Sequence, residues 1–304
     1  MISLAEFFGT YAFRTTAIGT FLIGALAGAL GSILYLRKQS LASDVVGHSA
    51  IFGVVTAFVI ASLLGADGRS IVTLTIGATA ASVLSLLLTN LIAQHSRVGI
   101  DAAMAVSMAI FYGGGMVGLR LINHSSLPNR GGIDSYMFGN AGTMRQVDVI
   151  SIAAFGALAL VVLALFWKEI GLYCFDPVAA HIQGFSPKVV DAISIVTTTV
   201  AIVIGIKAVG MILMVAFAIM PPAAARQWTT SMRGLVVGAG AIGGVSGMAG
   251  AYLSISAGRV PTGPVVVLIL FTVFLVSILA SPRRSILSHR RGRRRCLETK
   301  AVSA

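Results

Sequence analysis

Residues 149–167 read VISIAAFGALALVVLALFW, 19 positions without a charge, set between Asp148 and Lys168. A helix of roughly 20 apolar residues matches the hydrocarbon thickness of a bilayer. Eight further runs of this kind lie at 15–36, 45–66, 70–94, 102–119, 192–206, 208–225, 234–258 and 260–282. Composition agrees: 57% of the 304 residues are hydrophobic and 11% charged, with a mean hydropathy of +0.93. A soluble domain of this length carries far more charge. The expectation is an all-α, polytopic, multi-pass bundle of the cell membrane with nine spans. Eight is the alternative, because 192–206 is short and only Lys207 parts it from 208–225, so these two form a tight or partly re-entrant pair. The first run is no secretory signal: it is too long, and Arg37 and Lys38 halt transfer behind it.

Positive residues near span ends stay on the cytoplasmic side. With the first residue outside, the inner gaps hold Arg37, Lys38, Arg97, Lys168, Lys188, Arg226 and Arg233, and the outer gaps hold Arg14, Arg69, Arg120, Arg130, Arg145, Lys207 and Arg259. The tie is broken by eight basic residues between Arg283 and Lys300. The C-terminus is therefore expected in the cytoplasm, and the chain divides into a transmembrane domain, 1–282, and a basic cytoplasmic tail, 283–304. That tail supplies much of the net charge of +12. It reads as an anchor on anionic headgroups of the lipid bilayer, and with no aromatic interleaving or folded module beside it, no nucleic-acid partner is expected. Cys174 and Cys296 are too few for a disulfide framework or a metal cluster.

Glycines at three- and four-residue spacing, such as Gly24, Gly28 and Gly31, let membrane helices approach closely. The run Gly113-Gly114-Gly115 reads instead as a bend near the outer face. No Gly-Lys pair occurs, so a Walker A loop is absent and any energy comes from a partner or a gradient.

Ionisable groups inside a membrane are costly and therefore functional candidates. Asp44 and His48 stack carboxylate and imidazole on one helix face, within reach of one cation or of each other. Such oxygen and nitrogen donors suit manganese, iron or zinc. Equally, Asp44 could cap its helix and His48 make an interhelical hydrogen bond; spacing leaves both readings open. Asp101 opens the fourth span, where an acidic residue complements the helix dipole. Lys207, near the outer face, is accounted for by snorkelling. In the seventh span Pro221 and Pro222 break the helix, either as an ordinary stop or beside an aqueous path. The outer loop 120–148, with Pro128 and Gly131-Gly132, is a surface segment of the kind that receives partners.

The longest cytosolic gap, 168–191, contains Phe175-Asp176-Pro177-Val178-Ala179-Ala180-His181-Ile182-Gln183-Gly184. Asp at the N-cap, Pro at the first helical position and Gly past the end form a start and stop signal. A short surface helix with Ala179 and Ala180 as a flat face could slot into a groove on another protein.

That loop resembles the one by which ABC importer permeases engage their nucleotide-binding subunits, although many carry Glu where this chain has Val178. Arg37-Lys38-Gln39-Ser40-Leu41, then Asp44-x-x-x-His48-Ser49-Ala50-x-x-Gly53, resembles the second-span signature of the permeases of manganese, zinc and iron ABC importers. Asp101-Ala102-Ala103, Ser135-Tyr136-Met137-Phe138-Gly139, Val209 to Ala216, Pro222 to Arg226 and Pro261-Thr262-Gly263-Pro264 follow in the same order, over roughly residues 10–280. The resemblance implies a type II-like permease without catalysis of its own and without a permanent cofactor. Two ATPase subunits would bind inside, a metal-binding protein outside, and a second permease copy or a paralogue alongside. It further implies that Asp44 and His48 touch the transported manganese, zinc or iron, and that a coupling helix at about 174–186, with Asp176, Ala179, Ala180 and Gly184, transmits closure. Asp101, Pro221, Pro222 and Arg226 are the candidates for pathway or gate, while the 122–133 insertion and the tail inherit nothing. The positive-inside count puts Asp44 near the inner boundary, so His48 falls short of the midplane unless 37–53 follow a bent or re-entrant path. The alternative reading is a secondary transporter or channel driven by a gradient. A membrane metalloprotease is disfavoured by the lack of His-Glu-x-x-His.

Overall fold

The computed structural model describes residues 4–65, 70–125, 144–258 and 260–281. Twelve helices occur among them: α1 Leu4–Gly9, α2 Tyr11–Leu36, α3 Ala42–Leu63, α4 Ile71–His95, α5 Ile100–His124, α6 Gln146–Leu165, α7 Trp167–Phe175, α8 Pro177–Ile182, α9 Pro187–Val209, α10 Met211–Ala225, α11 Met232–Ala257 and α12 Thr262–Ala280. The basic tail, Cys296, Ser135 to Gly139 and most of the 122–133 insertion lie outside the described residues. Eight helices, α2 to α6, α9, α11 and α12, are long and apolar enough to cross a bilayer by length and composition. The ninth expected span is α10, whose 15 residues reach about 22 Å, short of a hydrocarbon core about 30 Å thick.

Two expected boundaries move. Lys207 does not part the sixth and seventh runs; α9 continues through it to Val209, and the chain turns at Gly210, whose φ of +87° suits glycine alone. Beyond the turn α10 folds back on α9, so that a Cβ added at Gly205 would meet Met214 Sδ at 2.4 Å. Nor do Pro221 and Pro222 break α10, which runs on to Ala225 with both prolines buried. Their missing N–H groups leave the carbonyls of Phe217 and Ala218 without helical donors. The Ala218 oxygen is turned onto Gly31 of α2, where an added Cβ would fall 2.1 Å from it, a geometry suited to a Cα–H···O contact.

Small residues pack α2 against α11 in antiparallel register. A Cβ at Gly24 would lie 2.3 Å from the Gly243 oxygen, at Gly28 2.4 Å from that of Ala239, and at Gly247 2.5 Å from that of Thr20. Without a hydrophobic drive between helices in lipid, such close backbone approach supplies the packing energy. In the Gly113-Gly114-Gly115 run α5 stays helical, and Gly114 and Gly115 serve close packing, receiving Phe52 of α3.

Candidate metal site and coupling face

Helix α3 begins further into the bundle than α5, beside which it runs in parallel. The Ser82 hydroxyl donates to the Val46 carbonyl at 2.9 Å, Ser49 donates to Ser85 at 2.8 Å, and the His48 ring meets Tyr112 edge-on with centroids 5.0 Å apart. Ser82 and Tyr112 stand near the midpoints of the 25-residue helices α4 and α5. Tyr112 is twelve residues beyond the start of α5, about 18 Å along its axis. His48 therefore sits at mid-bundle depth, with Asp44 about 6 Å nearer the end at which α5 begins. The short non-helical stretch 37–41, with Lys38 at φ +56°, lets α3 start about 9 Å before the level of Tyr112.

Asp44 is not the cap of α3; Leu41 holds that position, and the carboxylate turns to His48 instead. His48 Nδ1 lies 3.0 Å from both the Asp44 carbonyl oxygen and Asp44 Oδ1. Both neighbours are acceptors, so the ring proton belongs on Nδ1, which leaves the Nε2 lone pair for a ligand. Among the described residues His48 has no interhelical hydrogen bond; its contact with another helix is the Tyr112 ring. The two side chains are 24% and 32% exposed. At that depth an open ionisable pair must face protein or water, because lipid would leave it unsolvated. No cluster of three or more His, Cys, Asp or Glu occurs among the described residues.

The other pathway candidates stand apart from this pair. Asp101 is exposed in the first turn of α5, eleven residues and about 16 Å from Tyr112. Pro221 and Pro222 are buried, the former against Gly28, and Arg226 caps the C-terminus of α10.

At the end of the bundle where α6 hands over to α9, the helical start and stop signals are realised. Asp176 Oδ1 accepts from the Ala179 N–H at 2.9 Å, Pro177 is the first helical residue, and Gly184 has φ +85°. Helix α8 is shorter than the expected 174–186 because α7 occupies 167–175. The outward face also differs from expectation. Ala180 is fully buried, whereas Phe175, Val178 and Ile182 are 61%, 69% and 79% exposed and form an apolar stripe.

Two ion pairs escaped the sequence reading. Arg37 bonds to Asp191 through Nη2 and stacks over Tyr173 at 5.5 Å, and Asn90 Nδ2 approaches Asp191 Oδ2 at 3.5 Å. Burial lowers the Arg37 pKa and pushes the Cys174 thiol up to about 11. Lys207 is paired with Asp148 at 2.6 Å rather than snorkelling, and Asp148 also accepts from the Arg145 N–H at 3.1 Å. Helix α9 is thus pinned near both ends. Arg37 and Asp191 are 154 positions apart, so no local spacing announces them.

These features define a multi-pass membrane permease with a recessed acid–imidazole pair and a short helix presented at one end. The chain belongs to the ABC 3 transport family, whose model matches residues 10–281. It is 35% identical to the zinc transport system membrane protein TroC of Treponema pallidum, over 97% of both chains. It is also 35% identical to the manganese transport system membrane protein MntC of Bacillus subtilis over 88% of its own length, spanning 60% of that longer relative. The fold is that of PsaBC from Streptococcus pneumoniae, solved in complex with Fab: TM-score 0.80 at 23% identity, covering 95% of this chain and 100% of that one.

Proposed function

We propose that this chain is the membrane subunit of an ATP-driven importer of divalent manganese or zinc, and that Asp44 and His48 contact the metal in transit. The observation that carries the reading is the position of that pair on a partly open face, with His48 at mid-bundle depth and its Nε2 free. Family membership and the metals in the relatives' names support a transition metal and an ATPase over a gradient-driven carrier.

Two donors are too few to hold a divalent ion against water, so a second permease facing the same channel would complete the set. Ligation exchanges the carboxylate's contact with the imidazole for the metal, and because the set stays small the ion can leave again. A switch between two packed arrangements would carry it across. The ATPase would dock on Val178 and Ile182 of α8 and on Phe175 at the end of α7, which puts α8, the tail 283–304 and the C-terminus in the cytoplasm, with the metal-delivering protein at the opposite end. Hydrolysis then belongs to that separate subunit.

Uptake of labelled manganese and zinc by cells producing the wild type, Asp44→Ala or His48→Ala tests the assignment. Both variants should insert normally and lose uptake by at least about tenfold, in line with removal of a metal-site group. Unchanged uptake returns the pair to a packing role.

A further inference from the structure

An importer of this kind needs a mechanical link between the face an ATPase grips and the pair a metal touches, and Arg37 stands where the two meet. We infer that Arg37 is a positioning residue that couples the two: by holding Asp191 and Tyr173 at once, it ties the elements flanking α8 to the linker that leads into Asp44 and His48. The inference rests on the proposed function above.

Tyr173 belongs to α7, immediately before α8, and Asp191 to the first turns of α9, just after it. A shift of α8 therefore reaches the guanidinium from both sides. Onward transmission is short, since Asp44 follows Arg37 by seven residues. The linker between them is taut: the Gln39 N–H donates to the Leu34 carbonyl at 2.9 Å, and the Ala42 N–H to that of Gln39 at 2.9 Å.

Stability alone does not account for a cation in this place. The Arg37 side chain is 7% exposed, and a buried ion pair is commonly no more stabilising than apolar side chains of the same volume. Its Nη1 is buried without a hydrogen-bond partner among the described residues. An unmade hydrogen bond on a buried donor is costly, and it leaves that donor free to pair in a second arrangement.

The test is the complete assembly, this chain with its ATPase and metal-binding protein, in proteoliposomes supplied with manganese or zinc. Metal moved per ATP hydrolysed is measured beside metal binding by equilibrium dialysis, for the wild type, Arg37→Gln and Tyr173→Leu. For Arg37→Gln, metal binding and ATP hydrolysis should persist while metal moved per ATP falls about tenfold, the scale of a coupling term between sites. Tyr173→Leu, which keeps the ion pair, should fall in the same direction by a smaller factor. Coupling retained in both variants overturns the inference, as does loss of metal binding in parallel with transport, the mark of a merely structural role. If Arg37→Gln does not insert, Tyr173→Leu decides alone. A wild-type assembly that moves no metal with ATP sinks the proposed function itself, before any variant is read.

Discussion

The Ser82 hydroxyl donates to the Val46 carbonyl at 2.9 Å, and this bond fixes the second turn of α3 against the midpoint of α4. On α5 the His48 ring rests against Tyr112. Depth, which decides whether a carboxylate and an imidazole can serve as a transit station, is set by these lateral contacts.

Tyr112 should orient His48. Tyr112→Phe keeps a ring against the imidazole and should leave uptake unchanged. Tyr112→Ala frees the imidazole and should raise the half-saturating manganese concentration about tenfold, the scale for losing an orienting partner. Saturation curves for the two variants distinguish the roles; coincident curves remove Tyr112 from the site.

Gly31→Ala should destabilise the protein, because its Cβ would stand 2.1 Å from the Ala218 oxygen, which backbone holds in place. Overpacking of this kind costs about 1–3 kcal/mol. Thermal unfolding in detergent reads it. Gly113→Ala, with open space at its Cβ, is the control and should be neutral or slightly stabilising, because alanine is favoured over glycine inside a helix.

On α8 the outward and inward faces separate docking from folding. Ile182→Asp, at a side chain 79% exposed, should abolish uptake with thermal stability within about 0.5 kcal/mol of wild type. Ala180→Leu, at a fully buried position, should lower stability and uptake together. Stable, fully active Ile182→Asp would show that the stripe receives no partner.

Cys174 should be a slow thiol. Burial pushes its pKa up to about 11, with Arg37 pulling weakly the other way. The thiolate is the reactive form, so alkylation at pH 8 should run at least about 100-fold below an ordinary cysteine of pKa near 8.5. The rate should climb with pH up to the raised value. The sign for stability is opposite: the unfolded chain ionises first, so this group's contribution is present below the ordinary thiol pKa and is lost as pH rises toward 11. A maleimide rate profile in detergent checks the first part.

Much of this arrangement is legible along the chain because it is local. Apolar runs announce their own helices, and Asp176, Pro177 and Gly184 act within one short segment. What stayed hidden depends on contacts between distant positions. The tie between Arg37 and Asp191 has no sequence spacing to betray it, and a charge count cannot register that His48 lies level with the middle of α5, because it takes every helix to start at the membrane boundary. At the prolines, the rule that Pro ends a helix fails where Gly31 offers its backbone to a freed carbonyl. Between α9 and α10 the visible charge, Lys207, drew attention from Gly210, whose backbone makes the turn.

Helix α9 is held by Asp191 near its first turn and by Lys207 near its last. A rod fastened at two points about 24 Å apart cannot piston along its own axis; rolling and bowing are the motions left to it. Past the second fastening the chain reverses at Gly210 into α10, so under the proposed function thrust arriving from α8 would reach α10 as torsion and not as a push along the axis.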